Sequence, residues 1–185
     1  MACISYTLSG LTKECETNIG GIKTVYIAPV DYVSAVTGTK INSEGDAEIS
    51  NFSTITGITM SGSTKFKGYY FRKNTGSMTK TLNVTDEGGN YISTEISLRF
   101  SKMNSQKRLE MRALSLNDMA VIVKDCNDEY WYLGTSDDPV TASAGGGETG
   151  TNREDSNAYT ITLSNEAGYW PVPVTKTAVE AVIAE

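Results

Sequence analysis

The sequence predicts a mainly β protein, an antiparallel β-sandwich or partly closed barrel carrying one packed α-helix. Three observations lead there. In YISTEISLRFS, Ile92, Thr94, Ile96, Leu98 and Phe100 alternate with Ser93, Glu95, Ser97, Arg99 and Ser101, the period-two pattern of a strand with one buried and one wet face. The following KMNSQKRLEMRALSLNDM holds the one helical pattern in the middle of the chain, with Asn104 or Ser105 as N-cap and Asn117-Asp118 as its end. Composition agrees: 17 Gly and 4 Pro supply turns, and ten tyrosines against four Phe and two Trp favour strands whose rings are buried while their hydroxyls stay wet.

Taken in order, residues 1–18 are polar and read as a flexible lead-in that ends at Gly20-Gly21. Ile22–Ile27 is a first strand, stopped by Pro29. Val30–Val36 continues it or forms one turn, broken by Thr37-Gly38, and Asn42–Asp46 is a turn before a short strand at Ile55–Met60. Lys65–Lys73 places Phe66 and Tyr70 on one face, and Tyr69 and Phe71 on the other. With Ser77–Thr85 and Tyr91–Ser101 it predicts a three-stranded antiparallel meander, turned at Asn74-Thr75-Gly76 and at Asp86–Asn90. The helix should pack through Leu109, Ala113 and Leu116, at i, i+4 and i+7, onto Ile96, Leu98 or Phe100. Met119–Asp125 and Glu129–Gly134 form a hairpin around a tight Cys126-Asn127-Asp128 turn.

Beyond Gly134 the chain turns to Gly, Ser, Thr and acid. Residues 135–157 read as a long flexible loop with Val140 as its sizeable apolar anchor, joining two strands able to pair. Ala158–Ser164 alternates, with Tyr159, Ile161 and Leu163 inward, and Gly168–Val174 is an extended closing segment. The tail, 175–185, reads as one or two helical turns or a strand lent to a neighbour. One domain spanning 1–185 suits the size, 20.0 kDa with 39% hydrophobic residues.

The same inventory bears on function. Histidine is absent, which removes the commonest general base and transition-metal ligand. A net charge of −6 and a pI near 4.8 oppose a nucleic-acid-binding surface, although Lys65, Lys67, Arg72, Lys73 and Lys80 lie close together on what read as wet strand faces. Cys3, Cys15 and Cys126 follow no CxxC spacing and read as reduced thiols; Cys3 and Cys15 are either a pair or small buried hydrophobes. The N-terminus has neither a basic n-region nor a sustained apolar h-region, and no run reaches membrane-span length, which predicts a soluble chain made and kept in a cytoplasm.

Asp125, Asn127, Asp128 and Glu129 lack the turn glycine and distal glutamate of a calcium loop. Asp137-Asp138, Glu148, Glu154 and Asp155 sit in soft chain rather than on the rigid elements a carboxylate hydrolase requires. Gly145-Gly146-Gly147 precedes no Lys-Ser/Thr and no helix, so it is not a phosphate loop. No catalytic residue, metal ligand or cofactor is assigned. Trp131 with Tyr130, Tyr132, Tyr169 and Trp170 fits either a sugar-stacking platform or subunit contacts.

The strand order, the single helix after a long strand, and the long loop between late strands resemble phage tail-tube and tail-ring proteins, related in fold to the tubes of contractile injection systems. Cys15 followed by Gly20-Gly21-Ile22-Lys23, the run VIVKDCNDEYWYLG and the polar loop before TITLSNEA look like virion proteins of Bacteroidetes phages, including the crAss-like group. The resemblance spans roughly residues 22–174. It implies a virion structural protein assembled in the host cytoplasm. Subunits would form a ring of six or twelve, stacked on neighbouring tail or portal ring proteins, as a tail tube or head-tail connector. Hairpins would line a channel that DNA transits without specific binding, its acidic wall repelling phosphate. On this reading Asp137, Asp138, Val140, Gly146 and Trp170 are the inter-subunit contacts. Two other classes stay open: a carbohydrate-binding or capsid-decorating module using Trp131 and Trp170, and a His-free hydrolase acting through carboxylates.

Overall fold

A computed structural model describes Leu8 and residues 10–13, 15–42 and 45–184. In chain order it contains β1 (Ile22–Pro29), β2 (Val33–Lys40), β3 (Phe52–Met60), β4 (Lys67–Tyr69), β5 (Gly76–Val84), β6 (Asn90–Ser101), α1 (Ser105–Leu116), β7 (Met119–Asp125), β8 (Tyr130–Leu133), β9 (Thr141–Glu148), β10 (Ala158–Ala167), β11 (Val172–Val174) and α2 (Lys176–Val182). These form a β-dominant fold of two sheets and two short helices. The larger sheet runs β2-β3-β11-β8-β7-β1-β4 and the smaller β5-β6-β10-β9.

Two apolar clusters explain this division. Strands β1 and β7 are buried on both faces, so their side chains serve alternate cores. Val25, Ile27, Val121 and Val123 face the smaller sheet and meet Ile96, Leu98, Phe100, Ile161 and Leu163. Ala28, Ala120 and Ile122 face the other way, where the larger sheet curls into a half-barrel around Phe52, Ile55, Phe66, Tyr132 and Val174. Helix α2 closes that half-barrel with Ala178, Val179 and Val182. The Phe66 amide donates to the Val182 carbonyl at 2.9 Å and the Ala184 amide to the Phe66 carbonyl at 2.9 Å, tying the β4 edge to the helix that also packs on β3.

Several expectations hold. Strand β6 alternates as read, burying Ile92, Thr94, Ile96, Leu98 and Phe100. Asn104 caps α1, its side chain accepting from the Lys107 amide at 2.8 Å, and the Asn117 side chain closes the other end on the Ala113 carbonyl at 2.8 Å. Strands β7 and β8 form a hairpin, in which Asp125 accepts from the amides of Asn127 and Glu129 at 2.8 and 3.0 Å.

Others are corrected. The Lys65–Lys73 strand shortens to Lys67–Tyr69 and pairs with β1, so the expected meander reduces to the β5–β6 hairpin. Phe66 serves the half-barrel and Tyr69 and Phe71 the inter-sheet layer, as the two faces of the neighbouring β1 do, while Tyr70 is exposed. Gly38 does not break β2, which continues past it with a register shift. The supposed loop 135–157 contains β9, eight residues hydrogen-bonded to β10; a Gly/Ala/Ser strand needs only its backbone to pair there. Strands β8 and β10, expected to pair, lie in different sheets. Residues 176–182 of the tail dock as α2 on their own core, a second packed helix beside the single one expected. Helix α1 buries Leu114 rather than Leu109 and Leu116, which are 61% and 73% exposed, because it lies beneath β9 and β10 with Leu114 turned to the core. Of the segment 1–18, the described residues form no helix or strand; Cys3 lies outside them, so its relation to the exposed thiol of Cys15 does too.

After β8 the chain turns at Gly134 with φ +89°, and a Cβ there would lie 2.4 Å from the Met119 carbonyl oxygen. Gly134→Ala should therefore destabilise the fold by about 1–3 kcal/mol or more, read by denaturant unfolding. A change below about 0.5 kcal/mol would show that this turn relaxes freely.

Candidate functional site

The smaller sheet presents its outer face to solvent, and its register arranges that face in rows. Ser77, Ser97 and Thr162 lie side by side across β5, β6 and β10; Thr79, Glu95 and Ser164 form the next row, and Thr81, Ser93 and Glu166 the one beyond. This follows from period two: apart from Arg99, the residues alternating with the buried Ile96, Leu98, Ile161 and Leu163 are small and hydroxylated or acidic. Arg99 is the cation of these rows, and it points to Glu148 at 3.4 Å and to the Ser156 hydroxyl. Glu95 and Glu166 keep the face net negative. Among the described residues β5 pairs only with β6 and β9 only with β10, which leaves both edges of the sheet open. At the β9 edge Gly145, Gly146 and Gly147 carry no side chains to obstruct an approaching backbone.

The five expected contact residues fall in different parts of the fold. Asp137 and Asp138 line a cleft of about 500 Å³ between the β2 region and the loop after β8, beside Glu48, Tyr132 and Tyr169. That loop is ordered: the Asp138 amide donates to the Thr135 hydroxyl at 3.0 Å, and the buried Asn165 side chain donates to the Asp138 carbonyl at 2.7 Å. Burial raises the Tyr169 phenol above its ordinary value, and the two aspartates raise it further. Gly146 lies on the open edge of β9. Trp170 is 52% exposed. Val140 is 0% exposed and bridged to Met119, so its side chain belongs to the core between the sheets.

Two further acids sit at turns. Asp155 accepts from the Thr151 and Asn152 amides at 2.7 and 2.6 Å, which holds its carboxyl below the usual range. Asp128, with φ +69°, pairs with Lys23 at 2.9 Å and Lys124 at 3.0 Å; these ammonium groups pull its pKa from 3.8 to about 2. A folded-state pKa below the unfolded value adds stability above about pH 4, lost as the pH falls through about 2. The stability gap between the protein and Asp128→Asn should thus be present at pH 6 and close at pH 2, and be smaller in high salt. A gap unchanged between those pH values would show that Asp128 does not titrate as described.

The tryptophans are not equivalent. The Trp131 ring is capped by the Lys80 ammonium 3.6 Å from its centroid, and its indole N–H donates to Asp125 at 3.1 Å. Burial lowers the Lys80 pKa, and Asp125 opposes that shift. One face of the expected stacking platform is therefore occupied by the chain's own lysine. Among the described residues no group of three or more Cys, Asp or Glu is placed to hold a metal, and no helix is long and apolar enough to cross a membrane.

Two apolar surfaces are exposed near the ends of the smaller sheet's layer. One is Leu109 and Leu116 on α1; the other is Leu82 and Val84 near the β5–β6 hairpin tip, 50% and 68% exposed. The α1 pair reads as a packing face in the sequence, because periodicity marks an apolar face without saying what covers it. No family model, curated protein or solved structure matches this chain.

Proposed function

We propose that this chain is a ring-forming structural subunit of a phage tail tube or head-tail connector, a tube-type β-sandwich whose copies surround a channel that DNA traverses. The observation that carries this reading is the outer face of the smaller sheet: rows of Ser and Thr punctuated by Glu95 and Glu166, with its arginine directed to Glu148. A surface of that kind is well hydrated and weakly negative, so a passing duplex is neither gripped nor stopped. Open edges on both sides of the same sheet suit it to be continued by neighbouring copies. Rings of six or twelve subunits, seated against other tail or portal ring proteins in the virion and built in the host cytoplasm, are the assemblies this reading requires.

Mass photometry and negative-stain microscopy of the purified chain test it. Closed rings with a central opening are expected, and a monomer at every concentration would exclude the reading. A second measurement addresses the wall. Ser77→Lys, Ser97→Lys and Thr162→Lys together place three cations in one row, and should convert a ring that does not retain duplex DNA into one that does, in a salt-dependent manner. Equal retention by both would remove this face from the channel.

A further inference from the structure

The two exposed apolar surfaces belong to one layer and carry opposite charge. Leu82 and Val84 project from the inner face of the smaller sheet at its β5 edge, in register with Ile92 and Asn90. Leu82 stands where the cover ends, since Ile92 beside it is 5% exposed while Leu82 is 50% exposed. The loop beyond them holds Asp86 and Glu87, both exposed and, among the described residues, without an ion pair. Helix α1 lies on the same inner side of the same sheet, at the opposite, β9 edge. Its outer side shows Leu109, Ala113 and Leu116, flanked by the exposed Arg108 and Arg112. Neither guanidinium is ion-paired among the described residues. The one acid of α1, Glu110, is turned to the Tyr69 hydroxyl, which donates to it at 2.9 Å, so this helix face is cationic on a chain of net charge −6.

We propose that the β5–β6 hairpin tip of one copy seats on α1 of a second copy, head to tail. Leu82 and Val84 lie over Leu109 and Leu116, while Asp86 and Glu87 meet Arg108 and Arg112. The occupant is a second copy because the acidic apolar tip and the basic apolar helix are complementary halves at opposite edges of one sheet. Because the tip lies at the Asn90 end of β6 and α1 begins beyond its Ser101 end, a copy set beside the β9 edge and shifted along the strands brings the tip of one onto the helix of the next. Such a contact uses different patches on each partner, so it propagates, and the twist between successive copies curves the row toward closure. The inference rests on the ring reading and names the surfaces that build it.

The test compares the purified chain with a tip variant (D86K/E87K), a helix variant (R108E/R112E) and a chain carrying all four changes, by sedimentation velocity over a concentration series. All four positions are exposed, so thermal midpoints should agree within a few degrees, which confirms folding. Each double reversal should weaken association at least about tenfold, and the four-fold variant should recover it, because the swapped charges again match. V84D, which inserts a carboxylate into the apolar part, should also dissociate the assembly, without rescue by the charge swap. If the parent chain assembles and the reversals assemble equally well, or if the combined variant stays dissociated, this contact is overturned while the ring reading stands. A parent chain that never assembles overturns both.

Discussion

Ending the chain at Thr175 is expected to lower its stability by about 4 kcal/mol or more, a fall of roughly 8–16 °C in melting temperature for a chain of this size. The truncation removes Val179 and Val182, 1% and 5% exposed, and uncovers Phe66, at present 0% exposed. It also removes both backbone hydrogen bonds that fasten Phe66 to the C-terminal segment. The larger sheet would then keep its strands and lose the plug of its half-barrel. Calorimetry on the truncated and full chains checks this, and a shift under about 3 °C would mean that α2 merely rests on the sheet. The intermediate substitution Val179→Ala keeps the helix and its backbone bonds, and separates the packing contribution from the tether.

Leu114→Ala should cost about 2–5 kcal/mol, whereas Leu109→Ala and Leu116→Ala should each stay within about 0.5 kcal/mol in the monomeric chain. Leu114 is 3% exposed and joins Ile161, Leu133 and Val140 between the sheets; the other two leucines face outward. Denaturant unfolding of the three variants separates them. The reverse order would place the other face of α1 on the core and remove the apolar seat inferred for a second copy.

That contrast shows what local pattern conveys. Helix α1 carries two apolar faces, Leu109-Ala113-Leu116 and the shorter Met111-Leu114, and periodicity favours the fuller one. What decides is the approach of β9 and β10, which begin 25 and 42 residues beyond the end of the helix. Features closed over a few residues were legible: the alternation of β6, the Asn104 cap, the turn at Cys126–Asp128. Strand β9 was not, since its Ala, Ser and Gly residues carry neither alternation nor bulk, and its order comes from the apolar partner β10. Val140 was read as a contact because it stands alone among polar residues. An isolated valine in such a stretch anchors the chain to its own core equally well, and here it does. Asp137 and Asp138 stand out in the sequence as an acidic pair, but the cleft they line also needs Glu48 and Tyr169, distant in sequence.

Strand β1 is buried on both faces, yet one of its two flanking strands is made long after it. It pairs with β4 at Lys67–Tyr69 and with β7 from Met119 onward, roughly a hundred residues downstream. At ordinary elongation rates of about 5–20 residues per second, an emerging Ile22–Pro29 segment waits roughly 5–20 s on the ribosome for its long partner. Meanwhile only the β2–β3 and β5–β6 hairpins and the short β1–β4 contact can form. A strand built to be buried on both sides is therefore adhesive while the chain is nascent, and crowding many ribosomes on one transcript multiplies that exposure. Synthesis at lowered temperature, or with a holding chaperone in excess, should raise the soluble yield of this protein more than any surface substitution.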